Sequence, residues 1–292
     1  MPGVTIDYWR LRPLIEAAVA KGFVPMRDAV YVLRGLRFGF DLGVDVALLK
    51  GKRWFGNYSS ALDSREQVTQ AVRERVSACK TIALCACGLK DARLLPWASC
   101  RVFPLGAVSK PLEPDTVRPI SDHTKSGLKA ATDDSRLKHT LNTYEEIADF
   151  FKRGHVMRMM DVKGAFPLLP LAPILWVYFL HWWFNVDESG DPDEMWMYVH
   201  LTGDFGASGM PGTWKIFFDV MIGTARSVGV LTLPMPVYVD DLALIGQVAA
   251  QVDSEGEQLR DWLEDHGVTM KKIKERSANA VQLALGLIWD SN

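Results

Sequence analysis

The chain has 292 residues, 48% hydrophobic and 23% charged; this is ordinary globular usage on a length ample for a buried core, and it excludes intrinsic disorder for most of the chain. The formal net charge of −2 excludes a uniformly basic protein, but the charge is uneven. Lys50 to Arg101 holds ten Lys or Arg against four Asp or Glu, whereas Asp187 to Asp265 holds fifteen Asp or Glu against Lys215, Arg226 and Arg260, a division suited to gripping a polyanion in one region and metal ions in another.

Ile6 to Ala20 places Leu11, Leu14, Ile15 and Val19 near helical spacing, with Gly22 and Pro25 as punctuation. Ser64 to Leu84 reads as a second helix, so the first hundred residues are expected to be mainly helical. The four cysteines, Cys79, Cys85, Cys87 and Cys100, lie close together without the two-residue gap of a zinc or redox motif, and read as reduced thiols, with a zinc site as the alternative. Val102 to Ile120 reads as strand–turn–strand, broken by four prolines. Thr143 with Glu146 forms a capping box for a helix that buries Ile147, Phe150 and Phe151 and stops at Gly154. Val156 to Met160 then reads as a strand running into Asp161.

Ala165 to Val186 carries no Asp, Glu, Lys or Arg over a membrane-spanning length. Pro167, Pro170 and Pro173 argue against a spanning helix, and the aromatic and branched residues of Ile174 to Phe184 suggest a buried strand. Glu188 to Glu194 is a polar turn, followed by a strand over Met195 to Leu201. Pro211 to Val228 reads as a helix with Trp214, Phe217, Phe218 and Met221 inward, and Pro236 to Ile245 as a hairpin. Ser254 with Glu257 forms a second capping box, and Val281 to Trp289 closes with a short strand. The irregular alternation suggests α+β. The start, MPGVTIDYWRLRP, has no apolar run after a basic lead, and an intracellular protein without a membrane segment is expected, in nucleus or cytoplasm.

Asp240 and Asp241 interrupt an apolar run, Val237 to Val239 before them and Leu242 to Ile245 after. Two adjacent carboxylates in such company are costly to bury unless cations neutralise them. A hairpin presenting both to a hard divalent cation is the economical reading. A third carboxylate from a neighbouring strand, for which Asp161 is the candidate, would complete a two-metal clamp for phosphoryl displacement.

YVDD at Tyr238 to Asp241 resembles the catalytic hairpin of reverse transcriptases, and companions stand in the family's order: VRPISDHTKSGL (Val117 to Leu128), DVKGAFPLLPL (Asp161 to Leu171), FGASGMPGTW (Phe205 to Trp214), GVTMKKIK (Gly267 to Lys274) and LALGLIWD (Leu283 to Asp290). LRFGFDLG (Leu36 to Gly43), Asn57 and PLGAVSKP (Pro104 to Pro111) are similar to the lead-in of DIRS-like retrotransposon polymerases, which are paired with a tyrosine recombinase. The resemblance implies an α+β fold of reverse-transcriptase-like fingers and palm, the antiparallel palm sheet backed by helices, with no thumb. It divides the chain into a helical N-terminal fingers region (1–100), fingers (101–155) and palm (156–292), with 174–203 a hairpin insertion.

The same resemblance implies that Asp161 and Asp240, with Asp241 in support and the Val162 carbonyl, bind two Mg2+ or Mn2+ ions. Lys110 and Arg118 are implied to hold the triphosphate, Phe166 to exclude a 2′-hydroxyl, Gly206 and Pro211 to shape the backbone under the nucleotide, and Lys274 to protonate the leaving pyrophosphate. Three positions depart from the family pattern: Lys129 and Lys271 replace Asn, and Asp204 replaces Pro. The expected activity is RNA-directed DNA synthesis on an RNA or DNA template with a primer, using deoxynucleoside triphosphates, with a thumb, RNase H or recombinase on another chain as possible partners. The alternatives are a retroelement fragment that binds nucleic acid or a partner without polymerising, and an RNA-dependent RNA polymerase, which Val239 and Phe166 argue against.

Overall fold

The computed structural model describes residues 3–86, 95–110, 113–133, 135–137, 144–187, 189–285 and 287–291. In chain order its elements are α1 (Tyr8–Ala20), α2 (Met26–Phe38), β1 (Lys52–Trp54), α3 (Ser59–Asp63), α4 (Arg65–Ser77), β2 (Thr81–Ala86), β3 (Cys100–Val102), β4 (Leu105–Lys110) and β5 (Glu113–Ser121). There follow α5 (Tyr144–Phe150), β6 (Val156–Asp161), β7 (Leu180–Phe184), β8 (Met195–His200), α6 (Met210–Ser227), β9 (Val237–Tyr238), β10 (Asp241–Gly246), α7 (Ala249–Asp265), β11 (Arg276–Asn279), β12 (Val281–Ala284) and β13 (Leu287–Asp290). The chain divides into two compact units, one of Met1–Val4, Gly35–Lys138 and Leu169–Thr213, the other of Thr5–Arg34, His139–Leu168 and Trp214–Asn292.

The first unit holds a mixed five-stranded sheet in the order β1-β3-β7-β8-β2, parallel across β1, β3 and β7 and antiparallel onward, and a separate β4–β5 ribbon. Cys100, Val102, Leu180, Met197 and Val199 form its core, with Trp97, Trp176 and Trp182 packed against them. The Ser64 to Leu84 stretch is not one helix: α4 ends at Ser77, and Thr81 onward is strand β2, because Cys79 takes a left-handed conformation at φ 54° that helix cannot continue through. The strand expected over Ile174 to Phe184 begins only at Leu180. Pro173 instead opens a 3-10 turn to Tyr178, using its fixed φ at the first turn. The apolar segment is thus a short turn and a short strand, and among the described residues no helix is long and apolar enough to cross a membrane.

The second unit is built on an antiparallel four-stranded sheet, β11-β6-β10-β9. Alternation along β6 and β10 puts Met157, Met159, Ala243 and Ile245 on one face, covered by Ile147, Phe151 and Ala284. On the other face Arg158 meets α7, where it donates to the Asp253 carboxylate at 3.1 Å and, through its second terminal nitrogen, to Glu275 at 3.2 Å. Helix α7 begins at Ala249 after Val248, so Ser254 lies inside the helix and caps nothing. Val281 to Trp289 is a hairpin, β12 with β13, and not a single strand. The Thr143 cap and Cys87 fall outside the described residues; α5 forms there but ends at Phe150 and not at Gly154, and it buries Ile147 while leaving Phe150 exposed, with Phe151 buried just beyond its end. Cys79 and Cys100 are free thiols.

Candidate active site

Strand β6 ends at Asp161 and β10 begins at Asp241, and the antiparallel register sets these two residues directly opposite each other. Opposed residues of an antiparallel pair project from the same face, about 5 Å apart at Cβ, and like charges there repel. That face is the one whose far end is covered by α5 and the β12–β13 hairpin. Asp161 is 3% exposed, while Asp240 and Asp241 are half-buried.

Tyr238 pairs with Asp241 across a two-residue turn, Val239–Asp240. Such turns need left-handed backbone, and Val239 supplies it at φ 55°. A β-branched residue in that region costs of order 1–3 kcal/mol and persists only where neighbours over-determine it. Two neighbours do so here. The buried Trp214 indole donates its Nε1–H to the Val239 carbonyl at 2.7 Å, and the Val162 N–H donates to the Asp240 carbonyl at 2.8 Å. On the other edge of β6, Lys271 N–H donates to the Asp161 carbonyl and Lys163 N–H to the Thr269 carbonyl, each at 2.8 Å. This pairing sets the segment that leads into the Lys272–Lys274 turn beside the same strand end. Phe166 opens a 3-10 turn five residues beyond Asp161 and is buried.

The remaining expected residues belong to the first unit. Lys110 ends β4 and Arg118 lies within β5. The Arg118 guanidinium stands over the Phe205 ring, 5.3 Å from its centroid, a cation–π arrangement. Gly206 has φ +100°, and a Cβ there would come 2.2 Å from the Ser121 carbonyl oxygen; only glycine lets the two backbones approach so closely. Pro211 sits in the first turn of α6, where its missing N–H costs nothing.

As donors, Asp161, Asp241, Asp240 and a backbone carbonyl suit a hard divalent cation. Among the described residues, however, no three His, Cys, Asp or Glu side chains converge closely enough to hold a metal. What the structure brings together is the Asp161–Asp241 pair with Asp240 in the adjoining turn.

Sequence reasoning took Trp214 as core; it also holds the Asp240 turn. Arg158, the one charge in the run Val156 to Met160, was the visible signal for the network behind Asp161. His181 and His200 are buried and form a cluster with His123 and Asp204 around Phe103. Burial, followed by the nearby Arg75 charge, lowers His200 to about 4, and burial holds His181 well below its usual value. Burial opposes ionisation of Asp204, but His200, His123 and Arg75 outweigh it and keep its carboxyl well below the usual range. His155, at the unit's edge, shares its Nδ1 with the Phe150 carbonyl.

The architecture is that of a reverse-transcriptase-like fold. A foamy viral protease-reverse transcriptase in complex with double-stranded DNA superposes with a TM-score of 0.58 at 12% identity, over 83% of this chain and 36% of that one. The native prototype foamy virus protease-reverse transcriptase does so with a TM-score of 0.55 at 12% identity, over 82% of this chain and 28% of that one. The chain thus spans about a third of the length of these proteins. No family model matches the sequence, and no curated protein is similar to it.

Proposed function

We propose that the chain is the polymerising module of a reverse transcriptase of retrotransposon, DIRS-like type, adding deoxynucleotides to a primer 3′-end on an RNA or DNA template. The observation that carries this reading is the opposition of Asp161 and Asp241 at one sheet end, next to a strained turn that presents Asp240 and is held by Trp214 and Val162. The likeness to DNA-bound foamy viral reverse transcriptase supports it at the level of fold.

In this reading Asp161, Asp240, Asp241 and the Val162 carbonyl hold a pair of Mg2+ or Mn2+ ions. When bound, those ions supply acidity to the primer 3′-hydroxyl and neutralise charge on the departing pyrophosphate. Arg118, with its forked donors, and Lys110, as a point charge, grip the triphosphate. Phe166 fills the space beside the sugar C2′ and so excludes ribonucleotides. Gly206 and Pro211 set the backbone beneath the nucleotide, and Lys274 delivers a proton to the pyrophosphate as it leaves. In this reading the partners include a thumb, RNase H or recombinase on another chain, since phosphate contacts set duplex affinity.

A second reading, a fragment that binds nucleic acid without polymerising, is favoured by the lack of a converged three-carboxylate cluster among the described residues. Primer extension separates the two. With Mg2+ and deoxynucleoside triphosphates at low salt, the wild type extends a primer on RNA or DNA, while Asp161→Asn and Asp240→Asn lose extension and retain primer–template binding. Equal extension by wild type and variants would remove the site assignment; binding without extension by the wild type would establish the second reading.

A further inference from the structure

The residue before Phe205–Gly206 is a buried carboxylate with an unusual set of neighbours. Asp204 Oδ2 accepts the Ser121 hydroxyl and lies 3.1 Å from His200 Nδ1 and 3.7 Å from His123 Nε2. Its Oδ1 faces Arg75 Nη1 at 3.5 Å. Arg75 in turn donates to the Gly203 carbonyl at 3.4 Å and to Thr81 Oγ1 at 3.2 Å. One side chain therefore joins α4, the end of β5 and the end of β8 to the backbone that enters Phe205–Gly206. The group is not a metal centre: no three of its ligating side chains converge for an ion, and Arg75 already answers the carboxylate charge.

Two further observations give this hub a direction. Ser121 is three residues beyond Arg118 on β5, and the Gly206 backbone lies flat against the Ser121 carbonyl, with no room for a Cβ. Arg118 itself rests over Phe205, the residue after Asp204. The β5 end and the Asp204–Gly206 segment thus meet three times, through Asp204 and Ser121, through the Gly206 and Ser121 backbones, and through Phe205 and Arg118.

We infer that Asp204 is a positioning residue for nucleoside triphosphate binding, fixing Phe205 beneath Arg118 through its hydrogen bond with Ser121 without touching the nucleotide. This rests on the reading of Arg118 as a triphosphate contact. A hydrogen bond to an ionised group is among the stronger ones, and its loss is expected to weaken triphosphate binding on the order of 10-fold.

The test is calorimetric binding of dTTP with Mg2+ to the full chain, comparing wild type, Ser121→Ala, Asp204→Asn, Arg118→Ala and the Ser121→Ala/Arg118→Ala pair, each first checked for a cooperative thermal transition. Ser121→Ala removes the tie while leaving Asp204 with Arg75 and the histidines, so it remains informative if Asp204→Asn does not fold. Expected are weaker binding for Ser121→Ala and no further loss when it is added to Arg118→Ala. A merely structural role for Ser121 would not give that dependence on Arg118. Unchanged affinity in Ser121→Ala, additive losses in the double variant, or a wild type that binds no triphosphate would each overturn the inference. A wild type that binds dTTP yet extends no primer overturns the polymerase reading and leaves this one standing.

Discussion

Gly256 lies in the middle of α7, where glycine ordinarily destabilises a helix by about 1 kcal/mol relative to alanine. Gly256→Ala is nevertheless expected to destabilise this protein. A Cβ at position 256 would stand 2.5 Å from Arg158 Cδ and 2.6 Å from its Nε. That stem cannot swing aside freely, because its guanidinium is fixed by Asp253 at 3.1 Å and Glu275 at 3.2 Å, and Glu275 is itself shared with Arg260 at 3.3 Å. Overpacking of this kind costs about 1–3 kcal/mol, and displacing a buried, paired guanidinium adds to it. Set against the gain of about 1 kcal/mol in helix propensity, the net loss is about 1–2 kcal/mol. In an Arg158→Ala background the obstruction is gone, and the same substitution is expected to stabilise by about 1 kcal/mol. Urea unfolding followed by tryptophan fluorescence, carried out on all four members of the cycle, reads the change of sign. A stabilising effect of Gly256→Ala in the presence of Arg158 would show that the guanidinium does not hold its stem in place, and the role given to the network behind Asp161 would fall with it.

Two other variants probe the remaining buried contacts. Trp214→Phe keeps the ring stack on Phe218 and removes the donor to Val239; we expect about 1 kcal/mol lower stability and a reduced kcat for primer extension at unchanged triphosphate KM, and wild-type kinetics would refute a hold on the turn. For His200, lowered from 6.5 to about 4, the unfolded chain takes up the proton first as pH falls. Its contribution is therefore complete above about pH 6.5 and is lost towards pH 4, a loss of about 2 kcal/mol between pH 7 and pH 5; urea midpoints at the two pH values should differ accordingly, and His200→Gln should flatten the dependence, whereas a dependence unchanged in His200→Gln would exclude this residue as its source.

What could be read in advance was what local pattern carries. The apolar flanks of Asp240 and Asp241 announced a hairpin, and β9 and β10 form it; the run Val156 to Met160 announced a strand, and β6 extends it by one residue. Helix α6 followed from inward spacing of Trp214, Phe217 and Phe218. The misreadings came from local signals that lost to their surroundings. Ser254 and Glu257 have the spacing of a cap, but the spacing recurs on any helix face, and the burial of Val252 on the earlier turn carries α7 back to Ala249. Aromatic density at Ile174 to Tyr178 suggested extended backbone, whereas Pro173 pre-sets a helical turn. The Asp204 cluster had no local signal at all. Arg75 and Ser121 are distant in sequence from His200 and Asp204, which stand four residues apart, and the three segments meet only through the packing of α4, β5 and β8, so Asp204 stood out merely as a departure from a family pattern.

The candidate site also shows where stability has been concentrated. Asp161 and Asp241 are set opposite each other across the register, a position where like charges are disfavoured, and Val239 occupies a backbone region that disfavours a branched side chain. Neither arrangement would persist in isolation. The opposite face of β6 carries Arg158, tied to α7 and to Glu275; the turn is held by a tryptophan on α6; and the Asp161 peptide is paired with Lys271. Each unfavourable feature at the sheet end is thus matched by a buried polar contact from a different element. Such matching is expected where an acidic site must keep its geometry before a cation arrives. It predicts that variants of Arg158 and Trp214 disturb the chemistry assigned to Asp161 and Asp240 without contributing an atom to it.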